Sequence, residues 1–191
     1  MSSRLAEARE RERMHVMRDV AVIAIRLFDE RGYANVTMEE IAAATDVSVA
    51  TLYRRFGTKE NLVCWQPDEQ QGMSALVAAI ESGESIINAS RDLADALPDE
   101  AVESIETTAR IRLQLIAAHA ELRAAARQKA ESFVTAIMEA SEAAGGRTML
   151  ERETEARYVA AAFDAGTNAW LRGDGSLRDC TVRALDVLKR T

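Results

Sequence analysis

The clearest pattern in the chain is an apolar stripe near its start. Val16, Val20, Ile23, Ala24, Leu27 and Phe28 fall at i, i+4, i+7, i+8, i+11 and i+12, one face of an α-helix that Gly32 ends. Two shorter patterns follow at once. Thr37 with Glu40 three residues on forms a capping-box signature, so a helix starts near Met38 and turns Ile41 and Ala42 inward. It cannot pass Asp46, because Thr45, Asp46 and Val47 include poor helix formers just before another cap, Ser48. The next helix spans about Val49 to Arg55, with Leu52 and Phe56 on the buried side and Thr51, Arg54 and Arg55 turned outward. Thr58 then caps a helix that begins with Lys59 and Glu60. Two helices this short cannot bury a core alone. They must lean on the preceding stripe, which predicts a three-helix unit containing a helix-turn-helix, and a fourth helix leading away.

The run LFDERGYANVTMEEIAAATDVSVATLYRRFGTKENL, residues 27–62, resembles the DNA-binding domain of the TetR family of one-component transcriptional regulators. Leu27, Phe28, Gly32, Tyr33, Thr37, Ile41, Ala42, Val47, Ser48, Leu52, Tyr53, Phe56, Lys59 and Leu62 each stand where the family pattern puts that residue type. Many positions in one register are more specific than a short motif. The resemblance implies an all-α protein: a helix-turn-helix domain over 1–58 and a helical effector-binding and dimerisation domain over 59–191. It also implies phosphate contacts from Thr37, Tyr53 and Lys59. Arg55 stands where the family often has an aromatic residue or histidine that touches the DNA backbone, and Arg54 adjoins it. Ser48, Val49, Ala50 and Thr51 open the recognition helix, the part that reaches base edges, although Ser48 is also the N-cap. Two positions depart from the family. Asp46 stands where the turn usually has glycine, so the backbone there either takes the left-handed conformation with an aspartate or bends differently, and a carboxylate comes near DNA. Val49 and Ala50 replace cationic or glycine residues, so base contacts from them are apolar, for example to thymine methyls.

From Pro67 onward alanine and leucine dominate, and only Pro98 interrupts. Helices are predicted over Met73 to Ala79, Ser85 to Leu97, Asp99 to Ala117, Ala120 to Glu142, Leu150 to Leu171 and Ser176 to Arg190. Gly145-Gly146 and Gly173-Asp174-Gly175 separate the last three. Ala161, Ala162, Ala165, Gly166 and Ala169 let helices approach closely, with Leu185 and Leu188 striping the last helix. Periodicity alone fits an internal packing face equally well. The resemblance favours a homodimer through the last two long helices, which would present two recognition helices to the half-sites of an inverted repeat in double-stranded DNA. It also implies a small-molecule effector pocket, for which Phe133, Met138, Tyr158, Phe163 and Trp170 are candidates. The segment YRRFGTKENLVCW looks like an actinobacterial branch whose ligands include acyl-CoA thioesters.

Charge changes this picture only in its distribution. The chain of 191 residues carries a net charge of -7, yet residues 1–65 hold ten basic and ten acidic side chains, so all the excess acidity lies beyond them. Arg54, Arg55 and Lys59 then make a local cationic patch at the recognition helix. The charged run Arg4 to Arg13 interleaves arginine with glutamate, which fits a solvated helix extension better than a minor-groove arm. No apolar run approaches the roughly 20 residues of a membrane span, and no secretory signal is visible, so a cytoplasmic location is expected. Cys64 and Cys180 are far apart and read as reduced thiols. His15 and His119 show no spacing to Cys, Asp or Glu that suggests zinc, so both read as structural. No nucleophile elbow, phosphate loop or paired-carboxylate motif recommends an enzyme, and no cofactor is expected. The expected function is a ligand-responsive repressor. The alternatives are a helical binding module that keeps the helix-turn-helix as scaffold, and a helical enzyme needing a catalytic pair the sequence does not display.

Overall fold

The computed structural model describes residues 2–66, 69–95 and 99–187. Among the described residues ten α-helices run in chain order: α1 (Ser2–Arg31), α2 (Met38–Thr45), α3 (Val49–Phe56), α4 (Lys59–Cys64), α5 (Glu69–Glu81), α6 (Ile86–Asp95), α7 (Asp99–Ala118), α8 (Ala120–Ala144), α9 (Met149–Arg172) and α10 (Leu177–Leu185). A single 3-10 turn, Tyr33–Asn35, joins α1 to α2, and no strand occurs among the described residues. The all-α class and the helix order follow the sequence pattern. The charged N-terminal run continues α1 as helix. The last helix ends at Leu185 with Asp186 as its C-cap, short of the Arg190 expected; Leu188, Pro67 and Pro98 lie outside the described residues.

The chain divides into two compact units, 1–68 with 108–127, and 69–107 with 128–191. In the first, α1 supplies Val20, Ala24, Leu27 and Phe28, and α2, α3 and α4 add Ile41, Leu52, Phe56, Leu62 and Val63. Leu122 completes this core, and Ile111, Leu115 and Ile116 pack against it. Each fully buried Leu, Ile or Phe contributes about 1.5–3 kcal/mol, more than α2 and α3 gain from propensity over eight residues apiece.

In the second unit Leu76, Ile80, Ile86, Val134, Ile137, Ala156, Val159, Ala162 and Leu185 form the core. Here α9 and α10 pack closely at Gly166. A Cβ built on it would stand 2.7 Å from the Thr181 Cα. The small residues of α9 therefore divide their work. Ala162 and Gly166 are buried, whereas Ala161 and Ala165 are exposed. Ala162 and Leu185, two of the residues expected at a subunit interface, lie buried in their own unit's core, where α9 packs on α10 of the same chain.

Gly166→Ala tests this close approach. Alanine is the better helix former, but the clash is with backbone, so the variant is expected to lose about 1–3 kcal/mol in urea unfolding. An unchanged or raised midpoint contradicts the packing.

Candidate nucleic-acid interface

The local geometry around α2 and α3 is built from caps. The Thr37 hydroxyl accepts from the Glu40 amide at 3.2 Å, and the Glu40 carboxylate accepts from the Thr37 amide at 2.9 Å. A cap of this kind contributes on the order of 1 kcal/mol. The amides of Met38 and Glu39 between them have no intrahelical acceptor and make the positive end of the α2 dipole. Asp46 ends α2 in the left-handed region, with φ 53° and ψ 28°. Ser48 caps α3 by accepting from the Thr51 amide, and Thr58 caps α4 by accepting from the Asn61 amide.

These caps place a shallow groove of about 420 Å³ between the starts of α2 and α4 and the side of α3. Thr37, Met38 and Glu39 form one wall, Thr58 and Lys59 another, and Tyr53 stands over it from α3. Tyr53 is 47% exposed. The groove has the donors for a phosphate, namely a helix N-terminus and a phenol hydroxyl. Its charge is mixed, since the exposed Glu39 carboxylate lies on the same wall.

Lys59 is not simply extended into this groove. Its ammonium donates to the Tyr33 carbonyl at 2.8 Å and the Val36 carbonyl at 3.0 Å, and lies 4.1 Å from the centre of the Tyr33 ring. It thereby caps the carbonyl end of the 3-10 turn and fastens α4 to the approach to α2. Tyr33 is buried beside it, edge-on to Phe28 at 5.2 Å and tilted against His119 at 4.9 Å. The Tyr33 hydroxyl donates to Glu60 at 2.8 Å. Burial first, and then the bond to Glu60 and the negative charges of Glu60 and Glu121, push the Tyr33 phenol above its ordinary range. Burial pushes the Glu60 carboxyl up. Hydrogen bonds from its own amide, Tyr33 and Thr58, with the Lys59 charge, outweigh that and hold it below the usual value.

Along α3 the candidates separate. Leu52 and Phe56 are buried, and Val49 packs half-buried against the same core, so of the apolar pair expected to read bases only Ala50 is exposed. Ser48 Oγ and Thr51 Oγ1 are 2.9 Å apart, and Arg54 reaches Thr51 Oγ1 at 3.4 Å. Arg55 turns the other way, its guanidinium 3.7 Å from the Met14 sulfur on α1.

The remaining candidates lie in the other unit. Phe133 and Phe163 meet edge to face at 6.0 Å, and with Met138 they pack against its core. Tyr158 donates to the Ala184 carbonyl at 2.9 Å, which ties α9 to α10. Trp170 is buried, and Ala169 is half-buried. Both cysteines are buried. His15 does have an acidic neighbour at helical spacing, Asp19 at 3.7 Å, a correction to the sequence reading. No group of three metal-ligating side chains occurs among the described residues. No helix among them is long and apolar enough to cross a membrane.

Residues 23–63 match the family described as bacterial regulatory proteins, tetR family. No curated protein is detectably similar to the chain. Among solved structures, NalD, the secondary repressor of the MexAB-OprM multidrug efflux pump in Pseudomonas aeruginosa, is 23% identical with a TM-score of 0.51, covering 94% of this chain and 96% of that one. A TetR-like transcriptional regulator from Rhodococcus sp. RHA1 is 18% identical with a TM-score of 0.50, covering 91% and 94%. These likenesses extend over nearly the whole chain and show that its fold is the one these regulators adopt.

Two outcomes test the Lys59–Tyr33 arrangement. Lys59→Met leaves two carbonyls without their donor and is expected to cost about 1–3 kcal/mol in urea unfolding; an unaltered midpoint contradicts the fastening role. The second concerns pH. A phenol raised in the fold gives stability that is complete below the unfolded value of about 10 and is lost as pH rises toward the folded one. Wild type should therefore lose stability above about pH 10 more steeply than Tyr33→Phe. Parallel curves for the two proteins exclude the buried phenol as the cause.

Proposed function

We propose that this chain, whose DNA-binding segment and fold are those of tetR-family transcription regulators, is a ligand-responsive repressor that binds an inverted-repeat operator as a homodimer. The observation that carries the reading is the shared groove. The capped start of α2 and the exposed Tyr53 face the same space, beside a helix whose outer side bears Arg54 and Arg55. A DNA phosphate in that groove would take donors from the Met38 and Glu39 amides, the Thr37 hydroxyl and Tyr53. The remaining ammonium proton of Lys59 is available to the same anion. Arg55 serves the strand on the α1 side, and Ala50 with Arg54 faces the major groove.

Pairing would use the side of α9 that α10 leaves open. Leu150, Ala161 and Ala165 lie on one exposed face of α9, and the exposed Val187 follows α10. The effector is an apolar or amphipathic small molecule held near Phe133, Met138 and Phe163, with acyl-CoA thioesters one class to screen. Both α7 and α8 contribute residues to each compact unit. A ligand that binds one arrangement of these helices more tightly shifts the population toward it, and so changes operator affinity.

A second reading keeps the helix-turn-helix as scaffold only. It is favoured by the Glu39 carboxylate on the groove wall and by the two protein acceptors already taken by Lys59. Binding to a fragment of the chain's own upstream DNA, measured across salt concentrations, separates the two. The repressor reading predicts affinity falling steeply with salt, roughly 0.9 in log-log slope per phosphate engaged, and a dimer by sedimentation. Absence of salt-dependent binding favours the scaffold.

A further inference from the structure

The eight residues of α3 have one buried edge, Leu52 and Phe56, with Val49 close to it. At about 3.6 residues per turn, the direction opposite that edge is occupied by Ala50 and Arg54, one turn apart. Tyr53 lies on the flank toward the groove, and Arg55 on the flank toward α1. Both flanks thus carry residues suited to phosphates, and the centre carries one long donor, Arg54.

Three observations fix how that donor is presented. Arg54 is exposed. Its side chain leans toward the start of α3, as helical side chains do, and Nη2 reaches Thr51 Oγ1 at 3.4 Å. That hydroxyl is itself 2.9 Å from Ser48 Oγ, which accepts from the Thr51 amide. The two hydroxyls that open the helix are therefore occupied with capping and with orienting the guanidinium. A contact of 3.4 Å is weak enough to be exchanged for a better acceptor.

We propose that Arg54 is the sequence-determining residue of the interface, its guanidinium taking the N7 and O6 edge of one guanine in each half-site, while Ser48 and Thr51 orient it and make no base contact. Arginine is suited to this because its planar fork matches those two acceptors, which lysine cannot do. The assignment rests on the DNA-binding reading above and adds to it the base that is read.

The test uses the full-length protein and the duplex that it selects from a randomised library. Arg54→Lys and Arg54→Ala are compared with wild type on that duplex and on versions with each guanine replaced by 7-deazaguanine. The expected result is one guanine per half-site whose replacement weakens wild type roughly tenfold or more and leaves both variants unaffected. Arg54→Lys should keep the wild-type salt slope, since it keeps the charge. Two results overturn the assignment while leaving DNA binding intact. One is a selected site without an invariant guanine. The other is an Arg54→Ala loss that is uniform across sequences with a salt slope smaller by about 0.9, the signature of a phosphate contact. Failure of wild type to select any duplex overturns the DNA-binding reading itself. Thermal unfolding of both variants close to wild type is expected from the exposure of Arg54, and a large loss of stability would show that it packs instead.

Discussion

The placing of α2, α3 and α4 on one another depends on the contact between the Lys59 ammonium, the Tyr33 ring and the two carbonyls at Tyr33 and Val36. Helices of eight residues have little stability of their own, so the direction in which α2 and α3 point is decided by what holds their ends. Tyr33 touches Phe28 of α1, Glu60 and Lys59 of α4, and His119 at the joint between α7 and α8. One buried ring thus joins α1, α4 and the joint between α7 and α8. The starts of α2 and α4 keep a common groove between them because of it. The position of Tyr53 over that groove follows from Leu52 and Phe56 anchoring α3 on the same core.

A second constraint governs the other unit. Close packing of α9 on α10 requires glycine at 166, since a side chain there would meet Thr181 backbone. Among the described residues of this unit the exposed large apolar side chains are Met149, Leu150 and Val187, beside the exposed alanines of α9. The acid excess of the chain also lies beyond residue 65, away from the segment that would meet phosphates. Charge is thereby partitioned along the chain rather than averaged over it.

Local physics was legible in the residues. The Thr37–Glu40 box and the Ser48 and Thr58 caps are each decided within four positions, and the structure has them as read; of the two backbones open to Asp46 it takes the left-handed one. Most helix boundaries beyond residue 70 agree to within a turn for the same reason. Contacts made across the chain were not legible. The two carbonyls that accept from Lys59 lie 23 and 26 residues away in sequence, and no local pattern announces them. The contribution of residues 108–127 to the first unit leaves no local signal, nor does the short turn at Tyr33. Periodicity found the small face of α9 but not what covers it. Ala162 is buried, whereas Ala161 and Ala165 are exposed.

The central claim is that the starts of α2 and α4, with the outer face of α3, meet DNA together. Amide hydrogen exchange of the full-length protein, with and without the duplex that it selects, addresses it most directly. The amides at Met38, Glu39 and Lys59 lie in the first turns of their helices, where no intrahelical acceptor exists. DNA should slow their exchange along with that of peptides covering α3, and leave the exposed face of α9 unaltered. Protection confined to residues 128–187, or none in 37–60, would contradict the account.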